Sequence, residues 1–392
     1  MLRLATLARR LLPPAAAALV LSCEGSPSGD ENRCRSASAC GAADALVVMS
    51  DQSSGGVSAI SAAAGSATTG FFGVDLGADP QLSVSRGRRF YVARDLDAIF
   101  ELSPRCGEPL CRFSTKQDGL AGSSNPQGVG AAPDGSLWVP RFASATLALL
   151  EGGGVRQTLP LPDLDGDGNP NASGIAIVDV DGVSKAIVTL GLLDDKNATP
   201  FRAVRPGALA IFDVGTRAFE RTTPLAGRNP FNAIVLHGGA LFVTDAGNFD
   251  VDDEVDAGIE RIDPRHPEGA RLLITEATLG GSVSAVAIAD GCGAAIIADR
   301  SKNNATSVVT FDPEAGAPLR TAAKGGVLFG PSPDYHFWAI AFVGDKLLVG
   351  DRRRGASGYP IHVWDKTGRC ELVLRETPIY VAQKPVALRA MP

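Results

Sequence analysis

The chain has 392 residues, 45% of them hydrophobic and 20% charged, so it is long enough to bury a sizeable core. Its 43 acidic residues outnumber its 37 basic ones, which gives a formal net charge of −6. This balance argues against general nucleic-acid binding, which needs a basic surface, and we expect no nucleic-acid partner.

The N-terminal sequence MLRLATLARRLLPPAAAALVLSC has the pattern of an export signal. Its arginines precede an alanine-rich apolar run that ends at a small residue and Cys23. We therefore assign residues 1–22 to a signal peptide. The segment from Val20 to Cys23 resembles the lipobox of bacterial lipoproteins, which implies that Cys23 is lipidated and becomes the mature N-terminus. The alternative is an ordinary signal peptide with Cys23 incidental.

Residues 23–43 are small and polar, so we interpret them as a lipid-anchored tether. By the same resemblance, Glu24 after the cysteine implies sorting to the outer membrane, with the protein facing the periplasm or the cell surface. The acyl chains would hold it to the membrane, because no later segment offers the roughly 18 apolar residues of a membrane-spanning helix. Without the three signal arginines, 34 basic residues face 43 acidic ones, a net charge of −9.

Six cysteines follow Cys23, and an even number in an exported chain favours disulfides. They are Cys34, Cys40, Cys106, Cys111, Cys292 and Cys370. The simplest prediction pairs the close neighbours, Cys34 with Cys40 and Cys106 with Cys111. That leaves Cys292 to pair with Cys370, while other pairings stay open.

From residue 44 onward one unit recurs, in which an apolar strand meets a turn and a second strand ends in a polar loop. The seven second strands are LVVMSDQSSG from 46, RFYVARDLDA from 89, SLWVPRFASA from 136, KAIVTLGLLDD from 185, ALFVTDAGNFD from 240, AAIIADRSKNN from 294 and KLLVGDRRRG from 346. Only six have a first strand before them. The seventh is KPVALRAMP at 384–392, so the C-terminal strand would complete the first unit.

This repeat predicts an all-β fold over 44–392, a seven-bladed β-propeller of four-stranded antiparallel blades closed by the C-terminal strand. A pair of β-sandwiches or a β-helix is the alternative. Residues 125–162 resemble a blade of the streptogramin lyases, and residues 229–248 resemble an NHL repeat; the group also includes SMP-30-like lactonases. Such repeats indicate fold more than function.

In a blade, the loop after the second strand and the loop leading to the next blade lie on one face, which we call the first face. Turns between strands one and two, and three and four, lie on the second face. The following polar residues are predicted on the first face: Asp51, Asp95, Asp97, Arg141, Asp194, Asp195, Asp245, Asn248, Asp299, Arg300 and Asp351.

The loop DLDGDGNPN at 163–171 has the spacing of a calcium site. Asp163, Asp165 and Asp167 alternate along a glycine-rich turn, as hard oxygen ligands do in EF-hand-like loops, and Asn169 and Asn171 could add carbonyl oxygens. Position 12 is Gly174 instead of glutamate. The alternative is a solvated acidic turn. If a calcium ion binds here, a structural role is favoured over a catalytic one.

The missing carboxylate could come from the acidic loop at 245–258, through Asp250, Asp252, Asp253 or Glu254. Blades six and seven place Arg300, Lys302 and Arg352 to Arg354 on the same face. An acidic sector opposite a basic one could orient an anionic ligand, and the ligand-face candidates are Asp245, Asn248, Asp299, Arg300, Asp351 and Arg352. Solvated loop ends are the alternative for both sectors.

Histidine is scarce, and His336 is the one expected near the channel mouth on the first face, as a weak candidate for acid–base catalysis. We find neither the histidine and glutamate pair implied by the lyase resemblance nor the glutamate implied by the lactonase one. The sequence therefore predicts a monomeric, calcium-stabilised module that binds a protein or small ligand. The alternative is a divalent-metal-dependent lactonase or lyase.

Overall fold

The computed structural model describes Cys34 and residues 43–70, 74–116, 122–196, 202–248 and 254–391. The chain divides into two units, residues 1–31 and 32–392, and every described residue belongs to the second. The signal peptide, Cys23, Cys40, Asp250, Asp252 and Asp253 lie outside the described residues, as does most of the tether. Within the described ranges, no helix is long and apolar enough to cross a membrane.

The second unit is a seven-bladed β-propeller of antiparallel sheets, as predicted. Blade 1 contains β1 (Ala45–Ser50), β2 (Gly55–Ser61) and β3 (Ser66–Gly70). Blade 2 contains β4 (Pro80–Ser85), β5 (Arg88–Ala93), β6 (Ala98–Leu102) and β7 (Pro109–Ser114), and blade 3 contains β8 (Gly130–Ala131), β9 (Leu137–Val139), β10 (Thr146–Glu151) and β11 (Gly154–Pro160). Blade 4 contains β12 (Ala172–Val180), β13 (Val183–Leu190), a side hairpin of β14 (Leu193–Asp194) and β15 (Arg202–Ala203), β16 (Ala208–Asp213) and β17 (Phe219–Pro224).

The remaining blades repeat the pattern with short helices between strands. Blade 5 contains β18 (Pro230–His237), β19 (Ala240–Asp245), β20 (Gly258–Ile262) and β21 (Arg271–Thr275). Blade 6 contains β22 (Ser282–Ala289), β23 (Cys292–Asp299), β24 (Ala305–Phe311), β25 (Pro318–Arg320) and β26 (Phe329–Ser332). Blade 7 contains β27 (Phe337–Val343), β28 (Lys346–Asp351), β29 (Tyr359–Lys366), β30 (Leu372–Leu374) and β31 (Ile379–Val381). The helices are α1 (Glu276–Leu279) and the 3₁₀ turns Pro267–Gly269 and Arg300–Lys302. The β14–β15 hairpin and the fifth strands β26 and β31 were not predicted.

The last strand, β32 (Pro385–Ala390), closes the ring, as the sequence predicted. It pairs antiparallel with β1 and is the innermost strand of blade 1, with Val47 opposite Leu388. The first and last strands of the propeller therefore share one sheet, which removes the open edge that a linear array would leave.

The core lies between neighbouring blades, where alternate residues of each strand face the next sheet. Between blades 3 and 4, Trp138 and Phe212 pack edge to face with ring centroids 6.1 Å apart. Leu388 packs with Val47 and Val363 at the closure between blades 7 and 1. Because the contacts of Trp138 with Phe212 and of Leu388 with Val363 join neighbouring blades, they stabilise the ring as a whole.

Disulfides connect distant parts of the fold. Cys292 pairs with Cys370 across 4.9 Å between their Cα atoms, which confirms the predicted bridge between blades 6 and 7. Cys34 pairs with Cys111, with Cα atoms 4.3 Å apart, so the predicted local pairs Cys34–Cys40 and Cys106–Cys111 are wrong. Sequence proximity failed as a guide because β7 brings Cys111 to the segment before the first strand. Cys106 is also in a disulfide. This usage is typical of an extracytoplasmic protein.

Candidate functional site

The loop 163–171 joins β11 of blade 3 to β12 of blade 4 and therefore lies on the first face, as predicted. Gly166 and Gly168 adopt φ values of +80° and +90°, which let the chain curl back on itself. One carboxylate oxygen from each of Asp163, Asp165 and Asp167 lies within 4.8 Å of the others. The alternating spacing in the sequence thus becomes a three-carboxylate cluster.

The carboxylate of Asp165 is the one in this cluster without an internal hydrogen bond. Neither of its oxygens accepts a hydrogen bond from a described donor. Burial raises the pKa of Asp165, and the neighbouring Asp167 charge raises it further. Desolvation opposes ionisation of Asp163, but the backbone N–H groups of Gly168 and Gly166 outweigh it and lower the pKa of that carboxyl. The cluster therefore concentrates negative charge around an oxygen pair that lacks a donor.

The two asparagines of the loop are turned toward the neighbouring loop of blade 4. The side-chain N–H groups of Asn169 and Asn171 donate to the same Asp195 oxygen, at 2.7 and 2.8 Å. Asn171 is fully buried, and its side-chain oxygen accepts from the backbone N–H of Leu193 at 2.8 Å. Asp195 N–H in turn donates to Asp167 at 3.2 Å. The asparagines hold the loop in place, while the three aspartates are gathered at its centre.

Two cations contact the same loop through its backbone. Lys196 Nζ donates to the Gly166 carbonyl at 2.8 Å, and Arg205 donates to the Leu164 carbonyl. Neither interaction uses a carboxylate oxygen of the cluster. The two cations therefore leave the carboxylate oxygens of the cluster to backbone donors and, at Asp165, to a ligand.

Glu254, the described member of the proposed acidic partners, is bound within its own loop. Its two oxygens accept from the backbone and side-chain N–H groups of Asn248 at 2.7 and 3.0 Å. The guanidinium of Arg228 lies 3.8 Å away, and the side chain of Glu254 is 8% exposed. Glu254 and Asn248 thus stabilise the first-face loop of blade 5.

Blade 5 also contains three buried carboxyl groups, of which the sequence singled out only Asp245. Asp245, Glu260 and Glu276 are each 0% exposed. Burial raises the pKa of Asp245 well above its usual range, and the charge of Glu260 adds to this effect. Burial likewise raises the pKa of Glu260 and brings that of Glu276 to about 8. Asp245 is thus an interior group, not part of the exposed face.

Local geometry explains how these acids are accommodated. A Cβ atom on Gly227 would lie 2.5 Å from Cγ of Asp245, so glycine makes room for the carboxyl group. The backbone N–H of Gly227 donates to Glu260, and that of Val283 donates to Glu276 at 2.8 Å. Glu260 and Glu276 could have been suspected from sequence only as single acids in or beside apolar strands, which is a weak signal.

The remaining ligand-face candidates are tied into the ring to different degrees. Asp299 pairs with Lys302, and Arg300 donates to the Asn248 carbonyl at 2.9 Å across the boundary between blades 5 and 6. Asp351 is 2% exposed. Although burial opposes ionisation, hydrogen bonds from His362 and Arg353 lower the pKa of Asp351 to about 2. Asp351 therefore orders blade 7 instead of facing a partner.

An aromatic and cationic cluster lies where the chain enters the innermost strand of blade 7. The rings of Tyr335 and Trp338 meet edge to face with centroids 5.8 Å apart, and the guanidinium of Arg352 lies 5.4 Å from the Trp338 ring centre. We call Tyr335, Trp338 and Arg352 the mouth cluster. His336 lies beside it, half-buried, with Nδ1 2.9 Å from the Ser332 hydroxyl. That contact leaves His336 without a described carboxylate partner for a relay.

An axial channel runs between the innermost strands of all seven blades. A narrow cavity of about 70 Å³ lies toward the first face and reaches Trp338. A wider cavity of about 460 Å³ lies toward the second face, since the C-terminal halves of the innermost strands line it. Arg389 of β32 lines both cavities.

No protein-family model matches the chain, and no curated protein matches it closely. Several solved structures share its fold. Kuenenia stuttgartiensis hydrazine synthase aligns with a TM-score of 0.54 and 14% identity over 79% of this chain and 89% of that one. Apo AztD from Citrobacter koseri aligns with a TM-score of 0.51 and 13% identity over 89% and 98%. A streptogramin B lyase aligns with a TM-score of 0.45 and 13% identity over 76% and 93%.

The two alignments with TM-scores above 0.5 show the fold. At such identities they carry no reaction and no ligand over to this chain, because one propeller scaffold supports many unrelated sites.

Proposed function

We propose that this protein is a lipid-anchored, extracytoplasmic binding module that recognises its partner through the first face of the propeller. The mouth cluster carries the proposal. Tyr335, Trp338 and Arg352 are partly exposed around the entrance to the channel. Tryptophan, tyrosine and arginine dominate the binding energy of protein interfaces, and here the propeller holds all three in one patch.

The lipobox-like segment that ends at Cys23 supports the proposed anchor, and the oxidised cysteines of the folded domain support an extracytoplasmic location. A diacylated cysteine at the end of a polar tether would place the propeller close to a membrane without a spanning helix. The outer membrane of a bacterium is the location that we propose, on its periplasmic or outer surface.

We further propose that the loop 163–171 binds one calcium ion. Calcium prefers six to eight oxygen ligands on a flexible frame, and three carboxylates on a curled loop supply that chemistry. The unpartnered oxygens of Asp165 support this assignment, because a cation would stabilise its ionised form against burial and the charge of Asp167. All three carboxylates come from a single inter-blade loop, which favours a structural ion.

The enzyme alternative, a metal-dependent lactonase or lyase, needs oxygen ligands from different blades to meet near the axis with an open position. Within the described ranges, three histidine, cysteine, aspartate or glutamate side chains that could hold a metal ion converge only at Asp163, Asp165 and Asp167. That cluster lies at the boundary between blades 3 and 4. The binding function therefore has the better structural support.

The calcium proposal is tested by thermal unfolding of the mature domain with calcium and with a chelator. We expect calcium to raise the melting temperature by several degrees, since an ion that binds only the folded state stabilises it by about 2.7 kcal/mol at one hundred times its dissociation constant. Asp165→Ala should abolish this increase, whereas Glu376→Ala, at an exposed position of blade 7, should retain it. An unchanged wild-type melting temperature would reject the site.

The recognition surface is tested by photo-crosslinking in membranes of the producing cell. A photoreactive residue at position 335 should give one defined adduct, and Trp338→Ala should remove it. The same probe at exposed Val183, on the second face, provides the control. Equal labelling from both positions would contradict recognition through the first face.

The anchor is tested separately by cell fractionation. Cys23→Ser should release the protein from the membrane fraction while its melting temperature stays unchanged. Retention of the variant in the membrane would rule out lipidation as the anchor.

A further inference from the structure

Arg389 is a cation of the ring interior that has no matching anion among the described residues. It lies on the closing strand β32 and lines both cavities of the axial channel. Its described hydrogen bond is to the Leu388 carbonyl, at 2.9 Å. Among the residues that the structure describes, no carboxylate forms an ion pair with it.

The surroundings of Arg389 raise the free-energy cost of leaving its charge without an ion-pair partner. Part of its surface is open to the channel, but protein surrounds the channel on all sides. Desolvation lowers the pKa of Arg389, which means that the charged form is poorly solvated there. An unpaired guanidinium in such a place destabilises the fold unless a ligand or ordered water compensates.

The walls of the wider cavity are mostly aliphatic. Val84, Ile175, Ile177, Val235, Val286 and Ile340 contribute from five of the blades. Its volume of about 460 Å³ falls within the range of about 300–1,000 Å³ that is typical of small-molecule sites. Arg86 of this cavity already lies beside Asp179, whereas Arg389 has no described acidic partner. Apolar walls with one such cation match a ligand that has an apolar body and one anionic group.

We propose that the axial channel binds a small amphiphilic carboxylate, with the carboxylate paired to Arg389 and the apolar body in the wider cavity. Guanidinium and carboxylate groups form two parallel hydrogen bonds, which a simple spherical charge cannot do. The aliphatic walls would then exclude water from this ion pair. The proposal extends the binding function to the inside of the ring, and it does not depend on the mouth cluster or on calcium.

Two further arginines give the axis a positive character in an acidic protein. Arg352 of the mouth cluster stacks on Trp338, which lines the narrow cavity that also reaches Arg389. Arg86 lines the wider cavity, where its side chain is 40% exposed and lies 3.5 Å from Asp179. Arginines along the channel would attract an anion toward Arg389.

The position of Arg389 also couples the ligand to ring closure. Arg389 lies opposite Leu46 in the pairing of β32 with β1. A ligand held by this residue and packed against strands of the other blades would connect the closing strand to the rest of the ring. Binding should therefore stabilise the whole domain.

The test uses octanoate as the probe and measures binding by calorimetry and by thermal unfolding of the mature protein. Octanoate should bind the wild type and raise its melting temperature. Arg389→Met should weaken binding by about 10- to 100-fold, the equivalent of one charged hydrogen-bonding interaction. The same variant should melt higher than the wild type without ligand, because it removes an unpaired interior charge.

Matched controls separate the parts of the proposal. Arg265→Gln should leave octanoate affinity within about twofold, because this arginine is exposed, lines neither cavity and already has an acidic neighbour, Asp181. Ala233→Leu, which narrows the channel without touching any charge, should weaken octanoate binding even if Arg389→Met does not fold. Octanol and sulfate serve as the uncharged and the purely ionic probes.

The outcomes are distinct. Octanoate binding that exceeds that of both octanol and sulfate and that needs Arg389 supports the proposal. Equal stabilisation by sulfate would overturn the apolar component, and equal binding of octanol would overturn the role of the charge. If octanoate does not bind at all, the channel proposal fails, whereas the photo-crosslinking result at position 335 is unaffected.

Discussion

Asn171 donates a side-chain hydrogen bond of 2.8 Å to Asp195, which joins the entrance of blade 4 to the loop that leaves its second strand. Asn171 is fully buried and adopts φ of +51°, a conformation that asparagine tolerates better than most residues. Because Asn169 donates to the same oxygen, Asp195 holds the end of the acidic loop. The carboxylates of that loop are positioned by a neighbour that lies outside the loop itself.

We expect Asp195→Ala to destabilise the domain by about 1–3 kcal/mol, because two side-chain amides, one of them fully buried, lose their acceptor. The same substitution should weaken the proposed calcium effect, since Asn169 and Asn171, at the end of the acidic loop, lose the acceptor that holds them. Thermal unfolding with and without calcium measures both. Glu376→Ala is the control, and an Asp195→Ala protein with wild-type stability would contradict the positioning role.

The stability of the domain should fall as the pH rises from about 5 to 8. The pKa of Glu276 is about 8 in the folded state, against an ordinary value of 4.5, so between these values the unfolded state has released a proton that the folded state retains. The contribution of Glu276 to the free energy of unfolding is therefore fully present below pH 4.5 and is lost as the pH rises toward 8. Asp245 and Glu260, whose pKa values are also raised, act in the same direction.

Glu276→Gln isolates this contribution. Glutamine keeps an oxygen that can accept from the backbone N–H of Val283 but has no proton to lose. The variant should gain on the order of 3 kcal/mol relative to the wild type between pH 5 and pH 8. Chemical denaturation at the two pH values measures the difference. Parallel pH dependence of the two proteins would show that Glu276 does not titrate in this range.

The bridge between Cys292 and Cys370 should contribute to stability because it connects blades 6 and 7 directly. Replacing both cysteines with serine should cost about 2–5 kcal/mol, the usual effect of removing a native disulfide. Denaturation under non-reducing conditions measures it. Reductant should lower the stability of the wild type by more than that of the double variant, which no longer has this bridge to lose. A double variant as stable as the wild type would contradict the assignment.

The sequence predicted the fold well because each blade repeats the same local pattern, and because KPVALRAMP matched the missing first strand. The pairing of Cys34 with Cys111 could not be predicted, since the two cysteines are 77 residues apart and no motif relates them. The acidic loop was recognised from its spacing, but the role of Asp195 depends on a contact between two loops. Arg389 could not be predicted as a site residue, because a lone arginine in a strand belongs to no motif and only the folded ring places it on the axis.

Ring closure gives the last prediction. Leu388 is 0% exposed and packs with Val47 and Val363, so it joins the final strand to blades 1 and 7. Leu388→Ala should destabilise the entire domain by about 2–5 kcal/mol, the cost of a large-to-small substitution in a core. Val373→Ala, at a position that is 57% exposed in the outer strand of blade 7, should change stability by less than about 0.5 kcal/mol. If the two substitutions had equal effects, the C-terminal strand would not be closing the ring.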